Sequence, residues 1–585
     1  MNPPSQHTSQ FGLLKQRRFA PFFWTQFLGA ANDNISKFAL TVMVTYQLQL
    51  QWLPAAQAGV VIAALFILPF VLFSATSGQL ADKFEKGGLM RLVKNFEIAI
   101  MALALWGFWH AQVPLLLACV FMMGMHSTLF GPVKFAYLPQ QLSERELTGG
   151  NGMVEMGTFV AIILGNVLGG LLIGLPEVGA IATGLACLAV AVAGRIAAQF
   201  VPHSPATDPQ LRINWNPFTE TWNNLKLAYQ DKVVFRSLVG ISWMWFFGVV
   251  FLANFPSFAK EVLHGQSAVA SLLMVVFSVG VGIGALLCEL LSRRHVEIGL
   301  APLGALGMTV FAVDLYFASR GLPAAPLLGV AEFLSQPAHW RVLLDLGMLA
   351  LSAGLYSVPM YALIQLRSQP SHRARIIAAN NILNALFMIA SSLGAGVLIG
   401  AGFSIPEVFL TVGLLNLAVA VYICVLVPEY LLRAIAFVCS RLRYRLGHSG
   451  TGAIPATGAA LLLLENKPVS ASHALLLTAA SPRSINFFMA RPLVARPVAG
   501  WLWRANMACP LAPPELALRH ARQRLTAGEL VCLGQADAGA TELLEKLRKA
   551  RPDVPVLTLQ LSDTGGLLSR VDLHVSGPSP AEAAA

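Results

Sequence analysis

Long apolar runs separated by short polar loops make up the chain as far as about residue 428. Each run has the length of about 20 residues that an α-helix needs to cross a bilayer. Twelve runs can be read, at 22–47, 56–80, 90–110, 113–138, 150–174, 178–200, 236–260, 268–292, 299–319, 340–366, 376–400 and 405–427. The pattern predicts twelve membrane-spanning helices in two groups of six.

The pattern changes after about residue 450, where shorter apolar segments alternate with polar ones. That alternation is typical of a small water-soluble α/β domain. The predicted fold class is therefore an all-α polytopic membrane protein with a C-terminal cytoplasmic α/β domain. Its predicted parts are an N-terminal segment (1–21), a first six-helix half (22–200), a central loop (201–235), a second half (236–428), a basic connector (429–450) and a tail domain (451–585).

The two halves repeat one another. The stretch that begins at Asn151 aligns with the stretch that begins at Asn380, which matches Gly165 to Gly394. Parallel repeats of six helices are typical of transporters that place one substrate site between two halves, near the middle of the membrane.

Composition excludes two broad classes of protein. With 56% hydrophobic and 12% charged residues, the chain is too apolar for a soluble protein of this length. The net charge of +11 arises mainly from Lys and Arg in short loops, so it does not indicate nucleic-acid binding. The seven cysteines are scattered without metal-ligand spacing, and no metal site is predicted.

The basic residues also predict orientation. They lie in alternate loops, which by the positive-inside rule are cytoplasmic, as are both termini. The first apolar run is too long for a signal peptide and is expected to remain as a membrane span. We therefore expect a multi-pass membrane protein.

A charged side chain in the middle of the first span is the first candidate for a functional site. Asp33 lies between Asn32 and Asn34, at a depth where a charge costs roughly 2.5–3.5 kcal/mol. One interpretation is a polar cavity that binds substrate or a coupling ion, which the flanking amides favour. The other is an intrahelical ion pair with Lys37, one turn later.

Further polar residues lie inside the spans. Lys134 and Glu155, near the cytoplasmic ends of the fourth and fifth spans, either pair across the helices or reach the headgroups separately. Asn384 takes the place of Glu155 in the second repeat. The remaining candidates for contact with substrate are Asn166 and Asn254.

A short loop motif between the second and third spans predicts a gate. The sequence Gly78-Gln-Leu-Ala-Asp82-Lys83-Phe-Glu85-Lys86 resembles the cytoplasmic loop motif of the major facilitator superfamily. In that motif an acid meets a helix N-terminus and the basic residues hold one gating state. Glu85 stands where the family usually has Gly. In the second half, the corresponding residues are Glu289, Arg293 and Arg294.

The central loop contains a cluster of aromatic residues. Trp215, Phe218, Trp222 and Tyr229 lie there among polar residues. The composition is typical of a helix at the membrane interface, although a simple tether between the halves fits equally well.

Four segments together resemble one branch of this superfamily. QFLGAANDNISKFAL from Gln26, GQLADKFEKGG from Gly78, FGPVKFAYLPQQL from Phe130 and NGMVEMGTFVAIILG from Asn151 are similar to the lysophospholipid transporters, over residues 15–428. The resemblance implies movement of lysophospholipid across a bacterial inner membrane for reacylation in the cytoplasm. It also implies roles in transport for Asp33 and Glu289, no bound cofactor, and Na⁺ or H⁺ as a coupling cation. The family has a basic residue in the seventh span. This chain has no clear counterpart for it, and the nearest polar residue is Asn254.

The tail resembles the glycerophosphate acyltransferase domain found fused to such transporters. In that domain a His is the general base and an Asp five residues later orients it. The matching positions here are Pro468 and His473, and the phosphate-binding FPEGTR segment is replaced by GQADAG at 534–539. The resemblance therefore implies a degenerate domain without catalysis, with an arginine-rich connector along the inner membrane surface.

Three functions follow as hypotheses. The leading one is a lysophospholipid transporter whose inactive tail scaffolds or regulates lipid handover, with lysophospholipid, membrane lipids and cytoplasmic acyltransferase or acyl-carrier machinery as partners. The alternatives are efflux of drugs or other amphiphiles, and a membrane-bound lysophospholipid acyltransferase.

Overall fold

The computed structural model of the chain describes residues 10–48, 50–53, 55–292, 298–320, 322, 326–426, 428–442, 444–449, 454–455, 458–481, 483–495, 503, 508–563 and 569–576. It divides into two compact units, one of Met1–Val296 with Leu303–Ala420, the other of Glu297–Pro302 with Val421–Ala585.

The first unit is a bundle of long helices. These are α1 (Ala20–Val42), α2 (Ala55–Lys83), α3 (Lys86–Trp109), α4 (Val113–Gln141), α5 (Glu144–Ile173), α6 (Gly179–Gln199), α7 (Pro217–Gln230), α8 (Lys232–Ser257), α9 (Ser267–Ser292), α10 (Leu300–Ser319), α11 (Val330–Ser335), α12 (Pro337–Arg367), α13 (Arg373–Gly400) and α14 (Ile405–Leu426). Within the described residues, ten helices are long and apolar enough to span a membrane. Helices α1 and α3 pack among the ten but carry buried charges. The count of twelve spans therefore stays a prediction.

Side-chain caps fix where several helices begin. Asn216 accepts hydrogen bonds from the first N–H groups of α7, and Asp231 does the same for α8. A capping box of Ser143 and Glu146 begins α5. Such caps satisfy N–H groups that have no partner within the helix.

Glycines allow the helices of the first half to pack closely. A Cβ on Gly165 would lie 2.6 Å from the carbonyl oxygen of Ala31, and one on Gly169 would lie 2.6 Å from that of Ile35. The small-xxx-small spacing on α5 therefore serves packing against α1, as this spacing usually does.

The two halves meet through equivalent helix pairs. Helix α2 packs on α13, and α5 packs on α9. In the repeat these are the second and fifth helix of one half against the fifth and second of the other. The contacts lie at the end of the bundle that carries the α2–α3, α4–α5 and α12–α13 loops, which we call the basic end.

The central loop contains a helix with two different faces, and its position at the membrane interface stays a prediction. Phe218, Trp222 and Tyr229 on α7 are exposed, whereas Glu220 and Asn224 on the opposite face are buried. The helix packs on α2 and α13.

The second unit is built on a seven-stranded sheet. Its strands are β1 (Tyr444–Ser449), β2 (Ala460–Leu464), β3 (Ile485–Met489), β4 (Cys509–Pro510), β5 (Leu530–Gly534), β6 (Val556–Asp563) and β7 (Ser569–Ser576), in the order β1-β7-β6-β2-β5-β3-β4. All pairs are parallel except β6 with β7. Its helices are α15 (Pro428–Leu442), α16 (Ala471–Ala480), α17 (Arg491–Ala495), α18 (Pro514–Thr526) and α19 (Ala540–Ala550). Strands β2 and β5 lie in the interior of the sheet and are apolar along their length. This is typical of parallel strands, because helices cover both faces of such a sheet.

The predicted connector differs from the structure. Strand β1 is part of the sheet, and α15 packs on α16. Arg433 is 4% exposed and donates a hydrogen bond of 3.2 Å to the carbonyl of Ser481. Arg433 therefore binds a group inside this unit, and it does not contact the membrane surface as the sequence predicted.

Candidate functional site

A buried network of charged residues lies inside the first half. Asn32 of α1 donates a hydrogen bond of 2.8 Å from Nδ2 to Glu97 Oε1, and Lys94 Nζ lies 2.5 Å from Glu97 Oε2. Lys94 and Glu97 lie three positions apart on α3, one turn from each other, and are almost completely buried. A buried carboxylate needs such compensation because the low dielectric of the interior makes an isolated charge very costly.

Glycines make space for the ammonium group. A Cβ on Gly29 of α1 would lie 2.8 Å from Lys94 Nζ, and one on Gly194 of α6 would lie 3.0 Å from it. His126 of α4 completes the network, with Nε2 3.3 Å from Glu97 Oε2. Four helices of the first half thus surround one neutralised carboxylate.

Asp33 lies beside this network without sharing its cation. Its side chain is 7% exposed and accepts a hydrogen bond of 2.6 Å from Ser127 of α4. The second oxygen, Oδ1, is buried without a hydrogen-bond partner among the described residues. A buried carboxylate with a free oxygen is a candidate for binding a cation or a proton.

The structure corrects two expectations about this segment. Lys37 does not form an ion pair with Asp33 among the described contacts; its Nζ lies 3.8 Å from the centre of the Phe66 ring. Asn34 donates to the carbonyl of Ala30 in its own helix, so it does not share the polar face of Asn32. Consecutive helical residues point in different directions, and three adjacent polar residues cannot line one face.

Sequence reasoning missed Lys94, Glu97 and His126. The signal was present, because Lys94 and Glu97 lie inside the predicted third span and three residues apart. Charges inside a span face the protein interior by default.

A second polar cluster lies where the two halves meet. The hydroxyl of Tyr361 on α12 neighbours the side chains of Trp245, Asn380 and Asn384. Asn384 also accepts a hydrogen bond of 2.8 Å from Ser242. Helices α8, α12 and α13 supply these groups, and Asn384 is buried among them.

The first half contributes acid and base to the same region. Glu155 of α5 is 8% exposed and lies beside Ser357 of α12. Its neighbour Lys134 does not form an ion pair with it among the described contacts, and Lys134 Nζ lies 4.7 Å from the centre of the Phe135 ring. Glu155 and Lys134 are therefore close enough to interact electrostatically, but among the described contacts they do not form the salt bridge that the sequence allowed.

Two predicted residues do not join either cluster. Asn254 donates to the carbonyl of Val250 in its own helix. Asn166 is half-buried on α5 and makes no side-chain hydrogen bond in the described part of the chain.

The loop motif meets α13 at the basic end, and its role as a gate stays a prediction. Asp82 is fully buried and accepts hydrogen bonds from the backbone N–H groups of Ala374 and Arg375, at 3.2 and 3.3 Å. It also accepts a bond of 3.2 Å from Nε of Arg375. These N–H groups are at the start of α13, where the helix dipole favours a negative charge. Gly78 permits the approach, because a Cβ there would lie 2.7 Å from the Cβ of Ala378.

The second half has the equivalent arrangement. A Cβ on Gly149, near the start of α5, would lie 2.9 Å from Oε2 of Glu289. Glu289 thus approaches the fifth helix of the first half, as Asp82 approaches the fifth helix of the second. Arg293 and Arg294 lie outside the described residues.

Glu85 caps α3, which explains why the motif tolerates it in place of Gly. It has extended backbone geometry and accepts hydrogen bonds from the N–H groups of Gly87 and Ser204, at 2.7 and 2.8 Å. Burial alone would raise its pKa, but these N–H groups lower it overall. Lys86 is buried and donates to the carbonyl of Pro205 at 3.2 Å, whereas Lys83 lies beside the Phe84 ring.

In the second unit the loop around Pro468 and the segment 534–539 come together. The loops after β2 and β5 are adjacent, and Oδ2 of Asp537 accepts a hydrogen bond of 2.9 Å from the N–H of Val469. Nδ1 of His473 lies 2.8 Å from the carbonyl oxygen of Pro468. Burial raises the pKa of Asp537. The side chains of Asp537 and His473 thus both contact backbone groups of the loop after β2.

Comparison with known proteins gives the family. Residues 22–346 match the model of the Major Facilitator Superfamily. A lysophospholipid transporter of Serratia proteamaculans (strain 568) is 28% identical over 377 residues, which is 63% of this chain and 85% of that protein. One from Yersinia pestis (strain Pestoides F) is 28% identical over 403 residues, 66% of this chain and 89% of that protein.

Solved structures agree on the fold. The major facilitator superfamily transporter FucP in the outward conformation has a TM-score of 0.53 at 13% identity, covering 69% of this chain and 97% of that one. The human organic anion transporter MFSD10 has a TM-score of 0.54 at 14% identity, covering 70% and 99%. Since the family model spans more than half of the chain and the helices fold in the same way, this protein belongs to the major facilitator superfamily.

Proposed function

We propose that the protein is a secondary transporter of lysophospholipids in a bacterial inner membrane, with both termini cytoplasmic. The observation that carries the proposal is the similarity to curated lysophospholipid transporters along nearly their whole length. Movement across the membrane towards cytoplasmic reacylation, in the manner of a flippase, is part of the proposal.

The polar cluster between the halves suits a lipid headgroup. Glu155, Tyr361, Asn380 and Asn384 offer an acid, a hydroxyl and two amides within an otherwise apolar bundle. A few polar groups in an apolar site are what a zwitterionic headgroup with an acyl chain requires. Lys134 adds a positive charge beside it for a phosphate.

Unequal packing of the repeats suits the acyl chain. Gly165 packs against α1, whereas a Cβ on its repeat partner Gly394 would meet nothing within 4 Å. The side of α13 that is equivalent to the packed face of α5 is therefore open. A lipid substrate with one acyl chain needs such an opening towards the bilayer.

Asp33 is proposed as the site of the coupling cation, Na⁺ or H⁺, because one of its oxygens is buried without a partner among the described residues. We expect Asp33→Asn to impair the uptake of labelled lysophosphatidylethanolamine by spheroplasts while membrane insertion stays normal. Asp314→Asn, which changes an acid of α10 near the bundle surface, is the matched control. Unchanged uptake in Asp33→Asn would refute the assignment.

A substrate panel in reconstituted vesicles tests the class of substrate. We expect lysophospholipids to be moved and unrelated amphiphilic cations to be ignored. Transport of the cations alone would replace this proposal with efflux of drugs.

The tail is proposed as an inactive acyltransferase-like domain that scaffolds or regulates handover of lipid. Pro468 has no basic side chain, and His473 is directed at a backbone carbonyl. We expect purified protein with acyl-CoA and lysophospholipid to form no diacyl product. Steady product formation would show that catalysis uses other residues and that the domain is an enzyme.

A further inference from the structure

A pocket of about 410 Å³ lies at the basic end of the first unit. Its walls come from α7 and the segment before it, from Gln79 on α2 and from Arg375 on α13. It is separate from the polar cluster between the halves.

The charges that line the pocket are mainly positive. Arg212, Lys226 and Arg375 contribute three cations, against one carboxylate from Glu220, and Arg375 is already paired with Asp82 and Asp208. Glu220 is 5% exposed and accepts amide hydrogen bonds from Asn214 and Asn223. In the described part of the chain, Arg212 and Lys226 are exposed and form no ion pair. An unneutralised pair of cations beside Arg375 favours a bound anion.

Hydrogen bonds hold the wall of the pocket in place. Gln79 donates to the carbonyl of Asn214 at 2.9 Å and accepts from its N–H at 2.7 Å. This reciprocal pair ties the segment before α7 to α2, so the pocket is formed before any ligand arrives.

The outer face of α7 fixes the depth of the pocket in the membrane. Phe218, Trp222 and Tyr229 are exposed by 79, 70 and 59% and follow one side of the helix. Large aromatic residues on one side of a helix that packs on a membrane bundle are typical of the lipid–water interface. The pocket on the other side therefore lies at the level of the phospholipid headgroups.

We propose that this pocket binds the phosphate of an anionic phospholipid of the surrounding bilayer, with Arg212 and Lys226 as its cations. This site is distinct from transport, because the lipid is a resident of the leaflet at the basic end. Arg375 of the pocket wall binds the carboxylate of Asp82. The proposed headgroup site thus borders the contact between Asp82 and the start of α13.

The test uses the full chain in nanodiscs of phosphatidylcholine with and without phosphatidylglycerol. Native mass spectrometry after extraction measures how much phosphatidylglycerol stays bound. We expect wild-type protein to retain it in preference to phosphatidylcholine, and Arg212→Gln/Lys226→Gln to lower retention on the order of tenfold. Excess inorganic phosphate should not displace the lipid.

Lys15→Gln/Arg17→Gln is the matched control, because it removes one Lys and one Arg that are exposed near the start of the bundle. It should retain phosphatidylglycerol as wild type does. Asn223→Glu, which adds a negative charge to the wall, should lower retention without removing any cation. Equal retention in pocket and control variants, equal retention of phosphatidylcholine, or displacement by inorganic phosphate would overturn the proposal. The experiment measures lipid retention and not transport. Its result can therefore contradict this proposal without contradicting the proposed function.

Discussion

Two carboxylates lie close together in the first half, and their surroundings give them different roles. Lys94, His126 and Asn32 surround the carboxylate of Glu97, whereas Asp33 accepts one hydrogen bond from Ser127 and has one oxygen without a partner among the described residues. A buried carboxylate whose charge is compensated stabilises the fold. A carboxylate that has an oxygen without a hydrogen-bond partner remains available to bind a cation. We therefore separate a structural acid, Glu97, from a candidate coupling acid, Asp33.

Lys94→Met tests the structural role of this network. Removal of the cation leaves the charge of Glu97 buried, which should destabilise the protein by about 3–5 kcal/mol. We expect a clear fall in the melting temperature of purified protein in detergent. Lys94→Met/Glu97→Gln should recover much of the loss, because no unpaired charge remains.

Arg341→Met is the control, since Arg341 and Asp314 form an ion pair near the surface of the same bundle. Its melting temperature should change little, because solvent screens exposed charges. A fall as large as that of Lys94→Met would show that burial is not the cause.

Packing decides the behaviour of elements that look alike in sequence. Gly165 and Gly394 occupy the same repeat position, but an added Cβ would meet a neighbouring helix at Gly165 and nothing within 4 Å among the described residues at Gly394. The predicted spans agree closely with the observed helices, for example 405–427 with Ile405–Leu426. Apolar length fixes a span, but the repeat could not predict which helix faces pack together.

Gly165→Ala should destabilise the bundle by about 1–3 kcal/mol, because the added methyl group meets the backbone of α1, which cannot move aside easily. Gly394→Ala should be neutral or slightly stabilising, since Ala is the better helix former and the space is open. Melting temperatures in detergent compare the two. Equal destabilisation would contradict the open space beside Gly394.

Asp82→Ala tests the contact at the basic end. Without the carboxylate, the N–H groups of Ala374 and Arg375 at the start of α13 lose their partner. We expect faster hydrogen exchange at these amides in full-length protein. Glu85→Ala is the matched control, and it should speed exchange at Gly87 and Gly88 instead. Unchanged exchange at α13 in Asp82→Ala would refute the role of Asp82 in closure.

At the scale of the whole molecule, the chain joins a helical bundle and a unit built on a seven-stranded sheet. The curated relatives match the transporter part along 85 to 89% of their own length. Transport should therefore need the bundle and not the tail.

A chain that ends at Leu426, the last residue of α14, should still move lysophospholipid in reconstituted vesicles. The tail should matter only for what happens to the lipid afterwards. Full-length protein is the control, and uptake per folded molecule is the measurement. Loss of uptake in a well-folded truncated chain would assign the tail a part in transport itself.

The sequence by itself determined the number and length of the apolar runs, the repeat, the loop motif around Asp82 and the change of solvent near residue 428. These are local properties, because the length of a span and the chemistry of a motif depend on neighbouring residues. The tertiary structure decided which polar groups meet. Asn32 meets Glu97 across 65 positions, and Asp82 meets α13 across nearly 300. Such pairs depend on which helix faces pack together, and burial then determines which charges must be neutralised and which stay free to bind.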